Sequence, residues 1–145
     1  MLDSAQEAVK RLDLEAFIQD NKEAIYKQLE DSDACVSKAP EELNPNAVFI
    51  AQSLHLISGV IHVGSNPANF DAAAAWVQDP RGRQQLTSAW VLDPGVHANL
   101  TSLLSTLVFL YVVNQGWQDA NASGDASKKA RWESIYKRAE WFCTK

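Results

Sequence analysis

Residues 101–113 read TSLLSTLVFLYVV. Small polar residues at the start give way to a run at 107–113 that is apolar on every side. This run lacks the alternation of a half-buried strand and continues a helical pattern, and a helix that is apolar all round belongs in the interior of a fold. We therefore predict a central helix from Pro94 to about Gln115.

A second apolar helix is predicted to start at Asn44-Pro45 and to run to about Val63, because proline is favoured at the first helical position. Most of its surface is apolar. The remaining residues of this helix fall at i, i+3, i+7 and i+10, which makes one narrow stripe: Gln52, His55, Gly59 and His62. The stripe must face water, a cavity or a partner.

Two shorter helices are predicted before this one. Ser4 and Glu7 have the spacing of a capping box and open a short helix to about Leu12. Asp13 is expected to cap a second helix, from Leu14 to about Glu30. One apolar stripe follows the helical repeat on that second helix: Leu14, Phe17, Ile18, Ile25 and Leu29.

Loops are predicted at residues 31–46 and 116–127, where turn-forming residues cluster. Ser127 is expected to cap a last helix, on which Glu133 and Lys137 are spaced for an i, i+4 ion pair. Four apolar residues of that helix are expected to face inward: Ala130, Ile135, Ala139 and Phe142.

A tandem pattern lies between the two central helices. Residues 75–88 read AWVQDPRGRQQLTS and residues 89–102 read AWVLDPGVHANLTS, with eight of fourteen positions identical. We interpret it as two similar corners, in which Asp79 and Asp93 cap helices that begin with proline. Local duplication, or chance combined with common helix-start residues, is the alternative.

Together these elements predict an all-α fold, a single-domain helical bundle of five or six helices over residues 1–145, with two central apolar helices. Hydrophobic residues make up 46% of the 145 residues and charged residues 21%, which is typical of a globular domain. The net charge of −5 argues against nucleic-acid binding. We find no signal peptide and no apolar run of membrane-spanning length, and expect a cytoplasmic protein without a membrane partner.

Metal and cofactor sites are not predicted. Cys35 and Cys143 show no CxxC spacing, which excludes a zinc knuckle, and we expect both to be free thiols rather than a disulfide. His55 and His62 lie about 10.5 Å apart along a helix axis, too far to bind one metal ion together. A flat cofactor lying over Gly59 is the alternative to polar residues at a helix crossing or on a surface stripe.

Three further groups of residues are candidates for binding or chemistry. A ligand pocket between the central helices would be lined by five residues: His55, Gly59, His62, Thr101 and Ser105. Arg81 and Arg83 could hold an anion after the first corner, although Asp79 would repel it. His97 lies in the first turn after Pro94, where a neutral imidazole is favoured, and with Asp93 it would be the best residue for catalysis.

Charge and tryptophan content favour a protein-binding function. Residues 1–45 carry eleven acidic and five basic residues, whereas residues 126–145 carry six basic and two acidic ones. We expect these segments to be solvated or to lie against each other, and alternatively to bind a partner. Three of the five tryptophans are candidate interface anchors: Trp117, Trp132 and Trp141.

The leading hypothesis is therefore a non-enzymatic protein-interaction domain of inhibitor, immunity or adaptor type. A small-molecule binding or sensing domain, with its pocket between the central helices, is the first alternative. An enzyme using His97 is the second. A homodimer that covers an apolar patch in the charge-poor middle of the chain is a further possibility.

Overall fold

The computed structural model describes residues 9–37, 44–64, 66–79 and 100–143, and five α-helices have both ends within these ranges. The helices are α1 (Glu15–Val36), α2 (Pro45–Gly64), α3 (Pro67–Gln78), α4 (Leu100–Ser123) and α5 (Ala126–Cys143). Since these described residues contain no strand, the predicted all-α bundle is confirmed. No described helix combines the length and the apolar character needed to cross a bilayer.

Helix α4 forms the centre of the bundle and packs against each of the other four helices. Every residue from 104 to 114 is buried, including Ser105 and Thr106. This burial confirms the central position predicted from the apolar run. Helix α2 is the second central element, and Phe49 of α2 meets Phe109 of α4 with ring centroids 6.2 Å apart.

Asparagine caps set the starts of α2 and α3. The Asn44 side-chain oxygen accepts from the backbone N–H groups of Asn46 and Ala47 at 3.1 and 3.3 Å, which confirms the predicted start of α2. Asn66 caps α3 in the same way through Ala68, 3.0 Å away. Asp79 is the C-cap of α3, and the cap that it was predicted to supply to a following helix lies outside the described residues.

The start of α1 corrects a prediction. Asp13 is not its N-cap, because Leu14 holds that place without a side-chain hydrogen bond. Asp13 instead has φ 55° and ends the preceding helical turn, with Asp13 N–H bonding to Lys10 O and Leu14 N–H to Val9 O. These two bonds make a Schellman motif, in which Val9 and Leu14 supply the usual apolar contact. Both side chains are buried.

Two predicted loops are partly helical. Helix α1 continues to Val36, because Val36 is buried on the stripe already formed by Ile25 and Leu29. Helix α4 continues to Ser123, so Trp117 lies in a helix rather than in a loop. Gly124, with φ 74°, makes the turn into α5.

Helix α5 is capped by Asp125, whose carboxylate accepts from the Lys128 N–H at 3.2 Å, and not by Ser127. Ile135 and Ala139 face inward as predicted, whereas Ala130 is exposed. The side chain of Phe142 is outside the described part of the structure. The predicted Glu133–Lys137 ion pair is confirmed at 3.4 Å.

Candidate functional site

An open groove lies between α1 and α2 and is here named the α1–α2 groove. It has two adjoining compartments. The first, of about 590 Å³, is lined by Asn21, Ala24, Gln28, His55, Leu56, Gly59 and Val60. The second, of about 320 Å³, is lined by Asp31, Ser32, Cys35, Gln52, His55 and Leu56. His55 and Leu56 belong to both compartments and join them.

In the α1–α2 groove, helix α2 has an exposed apolar side chain and, beside it, a glycine with open space above it. Leu56 is 37% exposed and is the large hydrophobic residue that stands out to solvent in the described structure. A β-carbon on Gly59 would meet no atom within 4 Å. The glycine therefore leaves room for an incoming group beside an apolar side chain that the bundle does not cover.

One residue that lines the α1–α2 groove carries an unsatisfied acceptor. The side-chain oxygen of Gln28 is shielded from solvent and has no hydrogen-bond partner among the described residues. An acceptor left in that state costs about 1–3 kcal/mol.

The predicted ligand pocket is only partly assembled. His55 and Gly59 do line one cavity, but its second wall is α1 and not α4. Ser105 is buried within the core on α4. The apolar side of α2 packs on α4, which turns the polar stripe away from it. The side chains of His62 and Thr101 lie outside the described part of the structure.

The α1 wall of the groove was missed by the sequence analysis. Its six lining residues recur at heptad spacing beside the buried stripe of the same helix: Asn21, Ala24, Gln28, Asp31, Ser32 and Cys35. Small and short polar side chains at that spacing are the signal that would have found this wall. Cys35 is a free, exposed thiol.

A second polar cluster joins α1, α2 and α5. Arg138 donates from Nε to Asp33 Oδ1 at 2.9 Å, and the two side chains are only 14% and 8% exposed. Ser134 donates to the same oxygen at 3.0 Å, and the Arg138 guanidinium lies 5.8 Å from the centroid of the Phe49 ring. An open depression of about 490 Å³ lies beside it. Since Asp33 already holds Arg138, the cluster is structural.

A third cluster ties α1 to α4. Tyr26 donates to Asp119 Oδ2 at 2.9 Å, and the Lys22 ammonium lies 2.9 Å from the same oxygen. Burial, together with the hydrogen bond to Asp119, raises the pKa of Tyr26. Burial opposes ionisation of Asp119, but the bonds from Lys22 and Tyr26 outweigh it and lower the pKa of Asp119. The pKa of Tyr111 is also raised, mainly by burial.

The three candidate anchor tryptophans differ in exposure. Trp132 is 0% exposed, and its indole N–H donates to Glu30 at 3.1 Å. This ring belongs to the core, where it meets Tyr26 edge to face at 5.0 Å. Trp117 stacks at a tilt on Tyr136 with centroids 5.5 Å apart, and Trp141 is also half-buried. Trp117 and Trp141 retain surface that a partner can reach.

Three candidate positions for anion binding or catalysis lie outside the described residues: Arg81, Arg83 and His97. Asp93, the residue paired with His97, is outside them as well. Within the described ranges, no three His, Cys, Asp or Glu side chains come together as a metal site requires.

The α1–α2 groove is thus an open cleft whose lining mixes polar and apolar side chains. Comparisons with protein-family models, with curated proteins and with solved structures give no match to this chain.

Proposed function

We propose that the protein is a non-enzymatic protein-interaction domain of inhibitor, immunity or adaptor type, and that it binds a segment of its partner in the α1–α2 groove. The observation that supports the proposal is the pairing of exposed Leu56 with the open space above Gly59. A cleft with an apolar side chain beside open space can receive an apolar side chain of a partner helix.

The shape of the groove favours a polypeptide over a small molecule. The lining residues on α1 run from Asn21 to Cys35, which is about 21 Å of helix. Small ligands favour sites that enclose most of their surface. An elongated cleft that stays open along its length suits a helix laid into it.

Position 59 offers a sharp test. A β-carbon at position 59 meets no atom within 4 Å, so Gly59→Phe is expected to place its ring in the first compartment, and Gly59→Ala is the matched control that leaves the compartment open. We expect the tagged wild type and Gly59→Ala to co-purify a stoichiometric protein from the native host, identified by mass spectrometry. Gly59→Phe should lose that protein while keeping the helical circular dichroism of the wild type.

Two outcomes would count against the proposal. Equal recovery of the partner by Gly59→Phe would place the binding surface elsewhere on the bundle. Recovery of the bait alone by all three proteins would remove the support for an interaction domain.

A small-molecule sensor is the second candidate. The first compartment, at about 590 Å³, falls in the size range of ligand pockets, and His55 and Gln28 supply polar groups there. Thermal-shift screening would favour this candidate if one ligand class raised the melting temperature of the wild type and not that of Gly59→Phe.

A further inference from the structure

The two walls of the α1–α2 groove differ in charge. Helix α2 contains no Asp, Glu, Lys or Arg from Pro45 to Gly64. Helix α1 contains six acidic and two basic residues from Glu15 to Val36. A segment lying in the groove therefore meets an uncharged wall on one side and an acidic helix on the other.

Several charges of α1 are already paired inside the bundle. Asp33 holds Arg138, Glu30 accepts from Trp132, and Lys22 is bound to Asp119. These contacts lie on the side of α1 that faces α4 and α5.

The charges on the groove side of α1 remain exposed. Asp31 lines the second compartment, and Asp20 precedes the lining residue Ala24 by one helical turn. Asp20 and Asp31 outnumber Lys27 on this exposed edge. The edge therefore attracts cations and repels anions.

We infer that the α1–α2 groove selects a basic amphipathic helix, an inference that rests on the proposed function. Its apolar face would lie on Leu56 and above Gly59, with lysine or arginine along the α1 edge. Both groove walls are helices and offer no strand edge, so a helix fits better than an added strand.

The probes are two peptides of about 16 residues, enough to span the groove as a helix. They share one leucine face, and the flanking positions carry lysine in one peptide and glutamate in the other. By fluorescence anisotropy at low salt, we expect the lysine peptide to bind at least about tenfold more tightly, and its affinity to fall as salt is raised. Equal binding, or no binding of the lysine peptide, would overturn the inference.

A pair of charge-reversal variants locates the effect. Asp20→Lys combined with Asp31→Lys should weaken binding of the lysine peptide at least about tenfold. The control, Asp71→Lys combined with Glu140→Lys, makes the same change in net charge on the exposed surfaces of α3 and α5, away from the groove. Comparable weakening in both variants would show a general charge effect and contradict selection by the groove.

The native partner separates this inference from the proposed function. If Gly59→Phe loses the partner and the Asp20/Asp31 variant does not, the groove is the binding site but charge does not select its occupant. If neither variant loses the partner, the proposed function itself fails. Circular dichroism and thermal unfolding of each variant confirm that the helices are intact.

Discussion

At the scale of single residues, two glycines in helices have opposite surroundings. A β-carbon on Gly116 would overlap the six-membered ring of Trp132, whereas one on Gly59 would meet open space. We expect Gly116→Ala to lower the free energy of unfolding by about 1–3 kcal/mol through overpacking. Gly59→Ala should raise it by up to about 1 kcal/mol, because alanine is the better helix former. Urea unfolding followed by circular dichroism measures both.

The contrast between these two variants is the informative result. If both alanines stabilised the protein, Trp132 would have room to move away from α4, and its close packing on Gly116 would not hold. If both alanines destabilised the protein, Gly59 would not face open space, and the α1–α2 groove would be too narrow at Gly59 to admit a methyl group.

Single residues also show where sequence reasoning failed. Asp13 has the residue type of an N-cap, yet Val9 and Leu14 are both buried, and the Schellman motif that joins them puts Asp13 at positive φ. Trp132 was a candidate interface anchor, because the local sequence does not show that its ring is buried. Gly116 on α4 makes the space for that ring. A contact distant in sequence decided the place of Trp132, whereas the local Schellman motif and the burial of its two apolar residues decided that of Asp13.

At the scale of elements, the helices were predictable where one side of the helix is apolar. The buried stripe of α1 and the buried middle of α4 follow directly from residue spacing. The C-terminal ends of α1 and α4 were not predictable, because polar residues continue these helices beyond the predicted ends. Residues 31–36 contain two acidic residues and a serine, but Asp33 faces Arg138 and the helix continues through it. Of the candidate site, His55 and Gly59 on α2 were predicted, and the α1 wall was missed because pairing of helices depends on tertiary packing.

The Asp33–Arg138 pair holds α1 and α5 together, and its strength is testable. Both side chains are nearly buried, at 8% and 14% exposure. Arg138→Met should lower the free energy of unfolding by about 3–5 kcal/mol, because it leaves a buried carboxylate without its cation. Adding Asp33→Leu should recover most of that loss, since the uncompensated charge is then gone. Chemical unfolding of the wild type, both single variants and the double variant gives the coupling free energy.

The stability of the double variant decides between two causes of the loss. If it is no more stable than Arg138→Met alone, the loss comes from the packing of the arginine over Phe49 rather than from the unpaired charge. In that case the polar cluster would act as a packing contact between α2 and α5.

At the scale of the whole molecule, the acidic N-terminal region and the basic C-terminal region meet through α1 and α5. Asp33 with Arg138 and Glu30 with Trp132 are the contacts that join them. Part of the acidic charge of α1 is thereby used inside the bundle. Other acidic residues of α1 lie on the exposed edge of the α1–α2 groove. They give that side of the molecule a preference for cations.

The free energy of unfolding of the whole molecule should also depend on pH through the Asp119 carboxyl group. Its pKa is lowered in the folded state, so it binds protons more weakly there than in the unfolded chain. Its contribution to stability is present above the unfolded value of about 4 and is lost as pH falls through the folded value. We expect Asp119→Asn to flatten the fall in stability below about pH 4, and Lys22→Met and Tyr26→Phe each to flatten it in part. Thermal melting from pH 7 to pH 2 measures this, and an Asp119→Asn profile parallel to the wild type would show that the Lys22–Asp119–Tyr26 contacts do not stabilise the bundle.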